Sequence, residues 1–251
     1  VDPHRSARGH GGGGARGLAG GAGGAAEATL NSAALAAEYG RLVEADPGAA
    51  EQAAWLEREF AASGVTFGGA AMQSFLRPHL VPRVEWERLR ASGRRLLEIA
   101  ARVARHAFEG DVRRLCEFLG TPEREARWVE LDPGPPDVVL SRLDAFMERG
   151  VPRFIEVNSD APAGFGYGDR MAEVFQRLPL FRRFAAAHPA RYEPSAPALV
   201  AALREDWRAF GGRGTPAVAI VDWADVKTRA DQEILRTLIE AAGMPCFLAD
   251  P

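Results

Sequence analysis

Polar and apolar positions change period several times along the chain, and each change marks an element. Residues 31–43 and 49–62 repeat apolar side chains at helical spacing, with Asn31 or Ser32 as cap of the first and Trp55, Leu56 and Phe60 on one face of the second. Gly64 closes that helix, and the loose alternation of residues 65–80 predicts a strand near 71–76. The longest helical pattern covers residues 82–108, with Leu89, Leu96, Leu97, Ile99, Ala100 and Val103 at core spacing and arginines outside. Two short helices follow at 111–120 and 122–127. Strand alternation then takes over on both sides of Gly150, in Val138–Phe146 and in Phe154–Asn158. Helices are predicted at 169–177, 180–187 and 197–210, and Gly211 to Gly214 has linker composition. The end of the chain alternates strand 217–221, amphipathic helix 228–242 and strand 246–248, a β-α-β order that implies a parallel pair.

The two strands around Gly150 carry the chemistry. Alternate strand side chains share a face, so Glu156 and Asn158 point together while Ile155 and Val157 pack the other way. A hairpin folded about Gly150 sets Asp144 across from Glu156 and Arg142 across from Asn158, provided that the loop count is odd. Three hard oxygen donors and one guanidinium suit Mg²⁺ and phosphate. A half-exposed hairpin whose Arg and Asp form ion pairs is the competing reading.

Arg142-Leu143-Asp144 followed by Glu156-Val157-Asn158-Ser159-Asp160-Ala161-Pro162 resembles the R-x-D and E-x-N-x-D-x-P pattern of the circularly permuted ATP-grasp proteins, a group that includes glutathionylspermidine synthetase. Gly64-Val65-Thr66-Phe67, Leu76-Arg77-Pro78, Ser141 to Phe146 and Ala219-Ile220-Val221-Asp222-Trp223 are similar to a bacterial branch of that group. The resemblance runs from about Gly64 to the last residue. It implies ligation of a carboxylate to an amine through an acyl phosphate, with ATP and Mg²⁺ as cofactors. Asp144, Glu156 and Asn158 would be the metal ligands and Arg142 a catalytic phosphate or substrate contact. Arg77, Asp160 and Asp222 are candidate substrate contacts, although a loop Arg before Pro and an Asp capping a loop are also ordinary structural features. The fold implied is α/β with α+β character: helices around a mostly antiparallel ATP-grasp-like sheet portion, then the start of a Rossmann-like pre-ATP-grasp domain.

Departures limit that implication. The synthetase has Thr near the position of Ala163 and a separate amidase domain with a nucleophilic Cys, for which this chain has no counterpart. It also carries a single lysine, Lys227, where ATP-grasp proteins hold the triphosphate with lysines, and an arginine fork does not replace a point charge. The expectation is therefore the amino-terminal portion of a longer ligase, inactive by itself. The alternative is a non-catalytic module that keeps the fold and binds a metabolite or a protein.

With 251 residues, 47% hydrophobic and 26% charged, the chain is long enough for a real core. The expected division is a disordered Gly/Ala/Arg-rich tail over residues 1–29, a helical region with the metal-binding hairpin over 30–210, and the truncated pre-ATP-grasp unit over 211–251. A net charge of −3 gives no basic footprint for nucleic acid, and no apolar run reaches the roughly 18 residues of a membrane helix. The start lacks the apolar core of a secretory signal. Cys116 and Cys246 lack metal-like spacing and read as core residues of a reducing, cytoplasmic protein. Gly164-Phe165-Gly166-Tyr167-Gly168-Asp169 fails the dinucleotide spacing, because its third glycine comes too early. It leaves two readings open, backbone N–H groups offered to an anion or a turn capped by Asp169.

Overall fold

The computed structural model describes residues 31–131, 140–159 and 161–251. The glycine-rich tail and Asp160 lie outside the described residues. Among the described residues three two-stranded sheets are set among helices, a mixed architecture in which two pairs are antiparallel and the last is parallel.

Helices α1 (Ser32–Glu44) and α2 (Ala49–Ala62) form where the apolar period places them. The Asn31 side chain accepts from the Ala34 N–H at 2.9 Å and caps α1, while Leu56 and Phe60 of α2 are fully buried. The strand expected near residues 71–76 does not form. Gly68 and Gly69, at φ +58° and +84°, instead turn β1 (Thr66–Phe67) tightly onto β2 (Ala70–Ala71). Two central residues at positive φ match the twist of a hairpin, so the chain is reversed before a longer strand can extend.

Helix α3 (Arg83–Ala107) has the predicted extent but not the predicted burial. Twenty-five residues span about 37 Å, and the buried positions, Glu85 and Gly93, fall in the first half. Gly93 is buried because an added Cβ would stand 3.3 Å from Leu143 Cδ2, so its lack of a side chain lets the helix approach the hairpin closely. Farther along, Ile99 and Val103 are about half exposed. α4 (Val112–Leu119) and α5 (Glu123–Val129) follow, α4 ending at Gly120 in the left-handed region.

Strands β3 (Arg142–Glu148) and β4 (Val151–Asn158) then form the hairpin. Helices α6 (Phe165–Phe175), α7 (Pro179–Ala187) and α8 (Ala196–Ala209) lead to β5 (Val218–Val221), α9 (Arg229–Ala241) and β6 (Cys246–Ala249), with β5 and β6 parallel as the β-α-β order requires. α6 begins four residues earlier than its pattern suggests, taking Gly166 and Gly168 into its first turns.

The core is three linked clusters. Leu56, Phe60, Val65, Tyr167, Val174, Leu178 and Ile234 form the largest, Leu35, Tyr39, Leu180 and Phe184 the second, and Val200, Ile239, Met244 and Cys246 the third. α9 joins the first to the third through Ile234 and Ile239. Both cysteines are buried and unbridged.

Polar side chains from one helix cap the start of another four times. Glu85 of α3 takes the Ser32 hydroxyl at 2.5 Å at the start of α1. Gln52 of α2 accepts from the Leu180 N–H at 3.0 Å in the first turn of α7. Asp231 of α9 accepts from Gly164 and Tyr167 N–H at 2.6 and 2.7 Å, and Asp169 of α6 accepts from Ser195 and Ala196 N–H at 2.8 and 2.9 Å. Glu85, Asp169 and Asp231 are all buried, and the Tyr167 and Ala196 amides that Asp231 and Asp169 satisfy are buried with them. The helices are thereby fixed in register as well as packed.

Candidate functional site

The polar pairs on β3 and β4 meet as the hairpin reading requires, but by a different route. Arg149 and Gly150, at φ +50° and +75°, make a two-residue turn, which is an even count and pairs Glu148 with Val151 through Ala145 with Phe154. The register then shifts between Asp144 and Ala145, so that Asp144 faces Glu156, Leu143 faces Val157 and Arg142 faces Asn158. The extra residue is a β-bulge at Ile155, and it supplies the one-residue offset that the loop does not. Ile155 and Val157 are accordingly not packed as expected: Ile155 is 63% exposed as the bulge residue, and Val157 is also exposed.

Four side chains gather on the face turned away from α3. Arg142 Nε donates to Asp144 Oδ1 at 3.0 Å, and its Nη2 stands 3.8 Å from Glu156 Oε1. Asn158 Nδ2 donates to the same Glu156 oxygen at 2.8 Å. Arg142 Nη1 also donates to the Ala163 carbonyl at 3.1 Å, which ties the patch to the residue preceding the Gly164 N-cap of α6. The guanidinium thus lies between two carboxylates and leaves the trio with a net charge of −1. All three charged groups are about half open to solvent, so the patch is accessible and its ion pairs are screened.

Two carboxylates and an amide oxygen form a hard donor set that fits a cation such as Mg²⁺. Among the described residues no cluster of three or more His, Cys, Asp or Glu side chains could hold a metal, so a cation here would draw on the Asn158 amide beside Asp144 and Glu156. Asp160, expected two residues beyond Asn158, lies outside the described residues.

The remaining candidates stand elsewhere. Arg77 lines a separate cleft with Phe75, Met171 and Phe175. Asp222, just past β5, accepts from the Gln232 amide at 2.6 Å and from the Trp223 N–H at 2.8 Å, which anchors α9 to the strand end. Lys227 lies with its Nζ 6.0 Å from the centre of the Phe67 ring.

The glycine-rich turn before α6 is not open to an anion. Asp231 already occupies that helix start, and a Cβ at Gly166 would come within 2.7 Å of the Asp231 carbonyl oxygen. Asp169 caps α8 rather than the turn beside it. The sequence carries no local signal for either arrangement, because the cap and the capped helix are 26 to 67 residues apart.

No family model matches the sequence, and no curated protein does. Among solved structures, the chain is similar to the apo form of a glutathione synthetase-like effector, GSS30, from Globodera pallida, with a TM-score of 0.55 and 15% identity. The likeness covers 83% of this chain and 51% of that one, so the chain spans about half the length of its structural neighbour. At this identity the likeness is one of fold. No helix among the described residues is long and apolar enough to cross a membrane.

Proposed function

We propose that the chain is part of a Mg²⁺- and ATP-dependent carboxylate–amine ligase of the circularly permuted ATP-grasp type. The observation that carries this reading is the convergence of Arg142, Asp144, Glu156 and Asn158 on one open face of the hairpin, at the spacing of the R-x-D and E-x-N pattern. The fold likeness to a glutathione synthetase-like structure supports it. In this reading Asp144, Glu156 and Asn158 hold Mg²⁺, which supplies charge neutralisation for ATP phosphates when bound. Arg142 swings from its carboxylate partners to a phosphate oxygen, where its fork gives two donors. Its bond to the Ala163 carbonyl keeps the guanidinium near the start of α6 during that exchange. Asp160 and Asp222 would contact substrate. An acyl phosphate forms on the carboxylate substrate and is consumed by the amine, in a cytoplasmic protein that engages neither nucleic acid nor membrane.

One observation favours the second reading, a non-catalytic binding module. Arg142 already balances one of the two carboxylate charges of the patch, and the chain's one lysine stands against Phe67.

Manganese titration followed by electron paramagnetic resonance separates the two. Wild-type protein should take up one Mn²⁺ that Mg²⁺ displaces, and Glu156→Ala or Asn158→Ala should weaken it at least tenfold with unchanged circular dichroism. Equal uptake by all three proteins would remove the metal assignment and leave the module.

A further inference from the structure

Helix α6 joins the polar patch at one end to an apolar cleft at the other. Ala163, which accepts from Arg142, is eight and twelve residues from Met171 and Phe175, so the two regions are about 12–18 Å apart along the helix. The cleft has a volume of about 400 Å³, within the range of small-molecule sites.

Its composition is selective. Met171 and Phe175, one turn apart on α6, and Phe181 of α7 form an apolar floor, and the Tyr192 ring closes one side. The Tyr192 hydroxyl donates to Asp169 at 2.8 Å, so that ring is held in place and presents its apolar body to the cleft. Phe75 also lines the cleft and is 86% exposed, a large cost for an aromatic ring with nothing upon it. Every charged side chain on the lining is basic. Arg191 is committed to Glu193 at 2.8 Å, but Arg77 forms no ion pair or hydrogen bond among the described residues.

We infer that this cleft binds an aryl carboxylate, with the ring system between Phe75 and the Met171–Phe175 floor and the carboxylate on the Arg77 guanidinium. An apolar wall alone would accept any hydrophobic molecule. The unpaired Arg77, with no acidic residue on the lining, favours an anion over its neutral analogue. The cleft floor lies about 12–18 Å along α6 from Ala163, and none of the Arg142, Asp144, Glu156 and Asn158 side chains is on its lining.

Calorimetry with 2-naphthoate and its neutral isostere 2-naphthamide tests the inference on the whole chain. Naphthoate should bind saturably and about tenfold more tightly than naphthamide. Arg77→Ala should erase that preference without weakening the amide, and Phe75→Ala should weaken both ligands. Both side chains are exposed, so neither change threatens the fold. Glu156→Ala should leave both affinities unchanged, which keeps this outcome distinct from that of the manganese test. Absence of naphthoate binding, equal affinity for the two ligands, or a preference that survives Arg77→Ala would overturn the assignment.

Discussion

Asp169 offers the sharpest measure of how the helices are held together. Its carboxylate is 5% exposed and accepts four hydrogen bonds: from the Tyr192 hydroxyl at 2.8 Å, the Ser195 N–H at 2.8 Å, the Ser195 hydroxyl at 2.7 Å and the Ala196 N–H at 2.9 Å. Asp169→Ala removes the acceptor of all four and leaves the Ser195 and Ala196 amides and the Tyr192 hydroxyl without it, while the Ser195 hydroxyl keeps the Phe165 carbonyl at 3.5 Å. Hydrogen bonds to a charged group contribute about 1.5–3 kcal/mol each, and they are not additive here because Ser195 supplies two of them. A buried donor left without its acceptor costs about 1–3 kcal/mol, so the expected loss for Asp169→Ala, which strips the Ser195 and Ala196 amides of theirs, is about 2–4 kcal/mol. Asp169→Asn keeps one acceptor oxygen but turns an amide donor toward a donor, for a loss of about 1.5–3 kcal/mol. Urea unfolding followed by tryptophan fluorescence gives the totals, and hydrogen exchange at Ser195 and Ala196 locates them. A loss below about 1 kcal/mol for Asp169→Ala would refute the argument, since the capped amides would then have had other partners.

The same carboxylate has a pH signature. Burial pushes its pKa up, but the hydrogen bonds from Ser195, Ala196 and Tyr192 outweigh burial and hold it below its ordinary 3.8. A carboxylate depressed in the native state adds stability above its unfolded pKa, and that stability is lost as pH falls through the native value. The stability gap between wild type and Asp169→Asn should therefore stay level between about pH 5 and 7 and narrow below about pH 4.

Gly166→Ala should destabilise by about 1–3 kcal/mol in urea unfolding despite the better helix propensity of alanine, because its Cβ meets the Asp231 backbone oxygen at 2.7 Å; a gain in stability would show that α6 and α9 can separate at no cost. The three tyrosines should resist ionisation together. Burial pushes Tyr39 and Tyr192 up to about 12, the Tyr192 bond to Asp169 adding to its shift, and burial also raises Tyr167, so absorbance at 295 nm should show little tyrosinate at pH 10; their stabilising contribution is complete below about pH 10 and lost toward pH 12. The Tyr39 hydroxyl is buried without a hydrogen-bond partner among the described residues, so Tyr39→Phe should be neutral or stabilising by up to about 1 kcal/mol, and a clear loss in urea unfolding would mean that the hydroxyl is bonded.

The helices were legible because a 3.6-residue apolar period is a local property: residues 49–62 and 32–44 fold as their patterns require. What a local pattern cannot report is what lies opposite. Ile99 and Val103 have the same helical spacing as Leu89 and Leu96, yet they stay half exposed. The caps by Glu85, Gln52, Asp169 and Asp231 were illegible for the converse reason, since each polar residue answers a helix start far along the chain. Gly68-Gly69 was a readable hairpin signal, and the strand expected after it fails because that turn closes first. The pairing of Asp144 with Glu156 and Arg142 with Asn158 was legible as a pattern of polar residues, whereas the bulge that delivers it was not read.

That bulge nevertheless follows from a conflict written into β4. Phe154 lies against α3, its ring reaching the space beside Gly93 that Leu143 also fills. A regular strand would put Glu156 and Asn158, two and four residues on, on that same face beneath the helix. Burying the Glu156 carboxylate there without a cation beside it would cost several kcal/mol, and turning Phe154 outward instead would forfeit about 2 kcal/mol of apolar burial. One surplus residue between them satisfies both, at the expense of leaving Ile155 in solvent. An exposed isoleucine is a poor choice for stability alone. Its position, beside the acid–acid–amide cluster that its insertion turns outward, is where a local rule is expected to give way to a site.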